Sequence, residues 1–175
     1  RLRIVFYNFP KLSGYNFSLK ILQELKQRFG DIATGIKESS GDWEYMLSIT
    51  KNVPDFMVYS ETETLLLDIL REGGAGCITA SANVLAPECQ LVFNAWKNNQ
   101  EDAAAQAQEK LCVLRKALES YPFVAELKGL LAEHSGSDDW KHMLPPFSPL
   151  LASEIRELSS VIKDFKVLRT SADKY

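Results

Sequence analysis

The sequence predicts an α/β fold followed by a helical tail, and three observations predict it. Short apolar runs recur at 2–6, 33–36, 55–60 and 77–80, each about the length of a buried strand. The segments between them carry apolar residues at helical spacing. From Gln100 onward only the helical spacing recurs. Strands alternating with helices imply parallel pairing through right-handed crossovers, which leaves either an open doubly wound sheet or part of an eight-fold barrel.

Taken in order, Leu2-Arg-Ile-Val-Phe6 reads as the first strand and Pro10 to Gly14 as a loop. Phe17, Ile21, Leu22, Leu25 and Phe29 then share a helix face, and Gly30 is placed to end that helix. Ala33 to Ile36 is the second strand and leads directly to Lys37. Ser39-Ser-Gly-Asp42 supplies capping chemistry for a helix from Trp43 to Lys51, which Pro54 closes off. Asp55 to Ser60 is the third strand, Thr62 to Glu72 its helix, Gly73 to Gly76 the return turn and Cys77 to Ala80 the fourth strand. A further helix is expected to start near Pro87, a favourable first helical position. Beyond it, helices are expected over Ala103–Glu119, Phe123–His134 and Ser153–Phe165, separated by Gly136-Ser-Asp-Asp139 and Pro145-Pro-Phe-Ser-Pro149.

About four strand–helix units are half of a (β/α)8 TIM barrel, so residues 1–99 read as a half barrel and 100–175 as an appendage of three helices. An isolated half barrel would expose two strand edges and an apolar inner face, a hazard that folds avoid by closure. These residues are therefore expected to complete a barrel with a preceding half that this sequence does not contain.

Composition narrows the class of function. A chain of 175 residues, 46% hydrophobic with a formal net charge of −3, suits a globular unit with a sizeable core. Its basic residues are interspersed with acidic ones, so the electrostatic footprint of a nucleic-acid binder is missing. No apolar run reaches the roughly twenty residues that span a bilayer. Cys77, Cys89 and Cys112 are odd in number and lack metal-ligand spacing, which points to small core residues in a reducing, cytoplasmic compartment. His134 and His142 are too few and too far apart to suggest a metal, and both read as structural.

The chemistry concentrates at strand ends. Lys37 terminates an apolar strand, where partial desolvation would favour the free amine that attacks a carbonyl; the alternative is a lysine reaching from a strand end into solvent. Tyr7, at the end of the neighbouring strand, could relay a proton to and from a carbinolamine, or be structural, its hydroxyl tied to backbone. Ser39 and Ser40, with the amides of the turn to Asp42, offer donors to a small anion as well as capping capacity. Glu61 and Glu63, with Thr62 and Thr64, are expected at the same rim, where they could bind a polyhydroxylated substrate, or else form the acidic first turn of a helix. Gly73-Gly-Ala-Gly76 follows a helix and precedes a strand, the wrong order for a nucleotide loop, and is a turn.

Tyr7-Asn-Phe-Pro10 with Ser13-Gly14, Gly35-Ile-Lys-Glu-Ser-Ser-Gly-Asp42, Gly73-Gly-Ala-Gly76 and Asn83 together resemble the C-terminal half of the dihydrodipicolinate synthase and N-acetylneuraminate lyase family. The resemblance implies a (β/α)8 barrel with three extra C-terminal helices, a homotetramer built as a dimer of dimers, and a class I lyase or aldolase acting on pyruvate or another 2-keto acid and an aldehyde. It implies no cofactor beyond the covalent imine with Lys37. By position, Lys37 would be the Schiff-base lysine, Tyr7 the proton-relay phenol, Ser39 a hydroxyl near the substrate and Ile78 a main-chain contact beside the pyruvyl group. It also implies a preceding half that brings a carboxylate-binding motif and a second tyrosine, without which this chain would be inactive.

Departures from the family pattern bear on the substrate. Leu12 stands where dihydrodipicolinate synthases have an arginine, the run Glu61-Thr-Glu-Thr64 differs from the sugar-binding run of neuraminate lyases, and Ala80 replaces a serine of those lyases. His142-Met-Leu-Pro-Pro-Phe-Ser-Pro-Leu150 with Tyr7-Asn-Phe-Pro10 resembles the 2-keto-3-deoxy-sugar-acid aldolases. A dehydratase on the same imine and a non-catalytic barrel fragment are the remaining expectations. Glu61 replaces a glycine common in the family.

Overall fold

A computed structural model of the chain describes residues 2–162. Within it two compact units are distinguished, Arg1–Thr79 and Ala80–Tyr175.

The first unit alternates strands and helices. Its strands are β1 (Ile4–Asn8), β2 (Ala33–Glu38), β3 (Met57–Ser60) and β4 (Gly76–Cys77), all parallel and paired in the order β1-β2-β3-β4. Sequential order without a reversal is that of a barrel segment; a doubly wound sheet would show a switch point. Among the described residues no further strand pairs with the outer edge of β1 or of β4.

The intervening helices form where the spacing of apolar residues predicts them. Helix α1 (Pro10–Ser13) is one turn long and occupies the expected loop; Gly14 ends it at φ 68° by donating its N–H to the Pro10 carbonyl. Helix α2 (Leu19–Phe29) is capped by Ser18, whose hydroxyl accepts from the Ile21 amide. Asp42 caps α3 (Trp43–Asn52), accepting from the Tyr45 amide at 2.9 Å. After β3 the chain makes a 3-10 turn, Glu63–Leu65, and then α4 (Leu66–Arg71), in place of the continuous helix expected from Thr62. Thr62 begins the turn because its hydroxyl accepts from the Thr64 amide.

One face of the sheet carries the core. Phe6, Ile36 and Val58 are register partners across three strands, and Leu22, Met46, Ile49 and Ile69 close over that face. Each fully buried side chain among them, Phe6 being only partly buried, stabilises the fold by about 1.5–3 kcal/mol relative to exposure. Gly35, on the other face, is dictated by contact: a Cβ there would lie 2.2 Å from the Met57 carbonyl oxygen. Strand β4 is shorter than expected, although the Ile78 amide extends its ladder by donating to the Ser60 carbonyl at 2.9 Å.

The second unit is helical. It contains α5 (Ala82–Lys97), α6 (Glu101–Ala117), α7 (Phe123–Ser135), a 3-10 turn (Asp138–Lys141) and α8 (Ala152–Ile162), the end of α8 expected beyond Ile162 lying outside the described residues. Leu85 breaks the helical dihedrals inside α5 at φ −109°, ψ 16°, two residues before Pro87, where the sequence predicts a helix start. Because α5 packs along α6, the units divide at Thr79/Ala80, ahead of the expected 99/100 boundary.

Glu126 on α7 is fully buried. Its Oε1 accepts from the Tyr121 amide at 3.0 Å, while Oε2 has no hydrogen-bond partner among the described residues. Burial pushes its carboxyl from the ordinary 4.5 up to about 7, against the Tyr121 amide and the Arg115 charge, which lower it. The folded state thus holds a proton that the unfolded chain releases near pH 4.5, so this group destabilises the fold progressively as pH rises from about 4.5 to 7. Glu126→Gln is expected to raise the melting temperature by roughly 2–5 °C at pH 8 and by little at pH 5. Equal gains at both pH values would show that the carboxylate charge is not the destabilising element.

Candidate active site

The strand register assembles the site. Tyr7 pairs with Lys37, Lys37 with Tyr59 and Tyr59 with Gly76, so these four positions form one row across the sheet. Side chains alternate along each strand, which puts this row on the face opposite the helix-covered core. Lys37 Nζ lies over the Tyr7 ring, 4.4 Å from its centroid, and the phenol is 53% exposed. The ring's negative face attracts the ammonium and holds the nitrogen against the phenol. Tyr59, which was not foreseen as a neighbour of the lysine, donates its hydroxyl to Met57 Sδ at 3.2 Å. Gly76, at φ 139°, contributes no side chain to the row.

The pairings end one residue short of Phe9, Ser39, Glu61 and Ile78, at Asn8–Glu38, Glu38–Ser60 and Ser60–Cys77. The rings of Tyr7 and Phe9 stack with centroids 5.8 Å apart. Ser39 follows the end of β2, Glu61 the end of β3 and Ile78 the end of β4. The Ile78 amide is engaged by the Ser60 carbonyl.

Two expectations are corrected. Glu63 does not stand at the rim: it is fully buried and accepts from Thr79 Oγ1 at 2.8 Å. The reason is local, since the strand ends at Ser60 and the 3-10 turn changes the side on which Glu63 emerges. Nor do Ser39 and Ser40 form an open amide cradle. The Ser39 amide donates to the Asn8 carbonyl at 2.8 Å, the Ser40 amide to Glu38 Oε1 at 2.7 Å and the Asp42 amide to Ser40 Oγ at 3.1 Å.

Beneath the reactive row, on the core face, lies a buried polar network absent from the sequence reading. Asn8 and Glu38 are register partners and both fully buried. Asn8 Nδ2 lies 2.6 Å from Glu38 Oε2 and 2.7 Å from Asn16 Oδ1, and Asn8 Oδ1 accepts from the Phe17 amide at 3.2 Å. Each hydrogen bond to the buried carboxylate contributes about 1.5–3 kcal/mol. Together they tie the ends of β1 and β2 to the loop before α2 and to the turn after Lys37, which fixes the strand ends that carry Tyr7 and Lys37. Tyr45 adds to the clamp by donating to the Phe17 carbonyl. Burial foremost, and then the Glu38 carboxylate, push its phenol up to about 12, so it remains a donor at neutral pH. The available signal was an asparagine and a glutamate each one residue past a candidate site residue, on adjacent strands.

The described residues contain no group of three His, Cys, Asp or Glu side chains able to hold a metal ion, and no helix long and apolar enough to cross a membrane. Cys77, Cys89 and Cys112 are half-buried.

The family model for the dihydrodipicolinate synthetase family matches residues 1–165. A 4-hydroxy-tetrahydrodipicolinate synthase of Methanococcoides burtonii is 30% identical over 171 residues, covering 95% of this chain and 56% of that protein. Among solved structures, the YagE prophage protein of E. coli K12, described as a dihydrodipicolinic acid synthase family member in complex with pyruvate, matches with a TM-score of 0.82. Its identity is 26%, over 95% of this chain and 57% of that one. A variant of the Sulfolobus solfataricus 2-keto-3-deoxygluconate aldolase shares the fold at a TM-score of 0.77 and 21% identity, over 94% of this chain and 54% of that one. The chain spans about half the length of the curated relatives it matches.

Proposed function

The chain belongs to the dihydrodipicolinate synthetase family, and we propose that, completed by the other half of its barrel, it is a class I carbon–carbon lyase that releases pyruvate from a 2-keto-3-deoxy sugar acid. The observation that carries this reading is the placement of Lys37 Nζ against the Tyr7 ring at adjacent strand ends.

The free amine of Lys37 attacks the C2 ketone, and loss of water from the carbinolamine gives an iminium. Having given its own proton to the hydroxyl that leaves the carbinolamine as water, Tyr7 takes the proton of the C4 hydroxyl while the C3–C4 bond breaks, so that the bonding electrons move into an enamine and an aldehyde departs. The phenol then returns the proton to C3. Water hydrolyses the iminium to pyruvate and regenerates the amine. No cofactor is consumed.

Ser39, Glu61 and Ile78 line the rim where the departing portion of the substrate would lie, Ser39 and Glu61 through side chains and Ile78 through main chain. The protein is proposed to be a cytoplasmic homo-oligomer, a dimer of dimers, like the family pattern its motifs resemble. The synthase relatives offer a second reading, condensation of pyruvate with an aldehyde that carries its own carboxylate, which Leu12 in place of an arginine disfavours. Pyruvate release from 2-keto-3-deoxy sugar acids, followed through NADH oxidation by lactate dehydrogenase, tests the choice. Absence of release from every such acid, with no condensation in the reverse direction, would exclude the lyase reading.

A further inference from the structure

On the core face, one residue past the candidate nucleophile, every oxygen of a buried carboxylate and every side-chain N–H of its asparagine partner is bonded. Asn8 and Glu38 follow Tyr7 and Lys37, are the last register pair of β1 and β2, and are both 0% exposed. Glu38 Oε2 accepts from Asn8 Nδ2 at 2.6 Å and Glu38 Oε1 from the Ser40 amide at 2.7 Å. Asn8 Nδ2 also donates to Asn16 Oδ1 at 2.7 Å, and Asn8 Oδ1 accepts from the Phe17 amide at 3.2 Å.

The opposite face is held less tightly. There Lys37 Nζ lies 4.4 Å from the centroid of the Tyr7 ring, and that ring stacks on Phe9. Attraction between a cation and a ring operates anywhere over the face within about 6 Å, so it does not fix the amine relative to the phenol oxygen. Proton transfer is more demanding and needs heavy atoms about 2.6–3.2 Å apart. Hydrogen bonds to a carboxylate are short and directional, and a buried charge that loses one is strongly destabilised, so the Asn8–Glu38 pair admits essentially one separation of the two strand ends. Because Tyr7 and Lys37 are joined to that pair through single peptide units, a slip of Asn8 against Glu38 is also a slip of the phenol against the amine.

Resting on the lyase reading above, we propose that Glu38 and Asn8 are positioning residues for the reaction: their hydrogen bonds on the core face align the Tyr7 hydroxyl with the Lys37 imine on the other. Glu38 and Asn8 touch no substrate and act through Tyr7.

The bonding pattern supplies its own test. In Glu38→Gln one amide oxygen must serve both Asn8 Nδ2 and the Ser40 amide, so a donor is left facing a donor. In Asn8→Asp two carboxylates face each other. In the double variant all four bonds can re-form with their direction reversed where needed: the new amide at position 38 donates to the new carboxylate at position 8 and still accepts from Ser40. That carboxylate accepts from Phe17 and, after a half-turn of its side-chain amide, from Asn16. With the complete protein, each single substitution is expected to lower kcat for pyruvate release by about 10–100-fold with a smaller change in KM. The double variant should return to within about threefold of wild type. In a Tyr7→Phe background, Glu38→Gln should cost less than about threefold, because the hydroxyl it aligns is gone.

A folded Glu38→Gln protein with wild-type kcat overturns the proposal. So does a double variant no better than the single ones, or a Glu38→Gln loss that persists undiminished in Tyr7→Phe. Single variants that do not fold would make the network a stability element and overturn it as well. Borohydride trapping of pyruvate on Lys37 in wild type keeps the two readings apart: with trapping intact, any of these results leaves the lyase reading standing, whereas failure of wild type to trap removes that reading and this inference with it.

Discussion

Lys37→Arg in the complete protein is expected to lower turnover by at least about 10³-fold, the scale on which removal of a covalent nucleophile acts. Arginine keeps a cation that can lie over the Tyr7 ring, so the local packing survives, but a guanidinium stays protonated and cannot form an imine. Activity assays on variants of matched melting temperature separate chemistry from folding. A near-normal rate in Lys37→Arg would make the lysine a surface cation parked on an aromatic ring.

Tyr7→Phe should have the next largest effect, a loss of about 10²–10⁴ in kcat with a smaller change in KM. The substitution is informative because the 4.4 Å approach of Lys37 Nζ is to the ring face, which phenylalanine retains. The contact with Phe9 also involves only the ring. Packing and the attraction for the ammonium therefore persist, and the hydroxyl alone is lost. Imine formation measured by trapping in Tyr7→Phe should be slowed, and C–C cleavage more so. If Tyr7→Phe is nearly as active as wild type while Tyr7→Leu is not, Tyr7 acts through its ring and is no proton relay.

The first unit was legible in the sequence wherever an apolar run met a capping or breaking residue. Lys37 at the end of β2 and Asp42 capping α3 follow from residues within a few positions of each other. That Tyr7 and Lys37 would share a rim was also legible, since parallel strands joined by helices present their C-terminal ends together. The Asn8–Glu38 pair was not, because it depends on the register between β1 and β2, a tertiary quantity with no local signature. Glu63 was misplaced because the 3-10 turn begun by Thr62 replaces an α-helical first turn, and the sequence pattern does not distinguish the two. The same limit explains the boundary at Thr79/Ala80: apolar spacing identifies α5 as a helix but not α6 as its neighbour.

Asn8 and Glu38 act on the strand ends from the core face. The network below the sheet uses their side chains and the Ser40 amide to fix both strand ends, so the reactive row needs no further bonds of its own. Lys37 and Tyr7 lie on the opposite face of the sheet.

The measurement that bears most directly on the imine is borohydride reduction of the complete protein in the presence of pyruvate, followed by peptide mass mapping. A reduced pyruvyl adduct on Lys37, absent without pyruvate and absent in Lys37→Arg, is the expected result. An adduct on a different lysine, or none in the folded protein, would contradict Lys37 as the nucleophile and the lyase mechanism built on it.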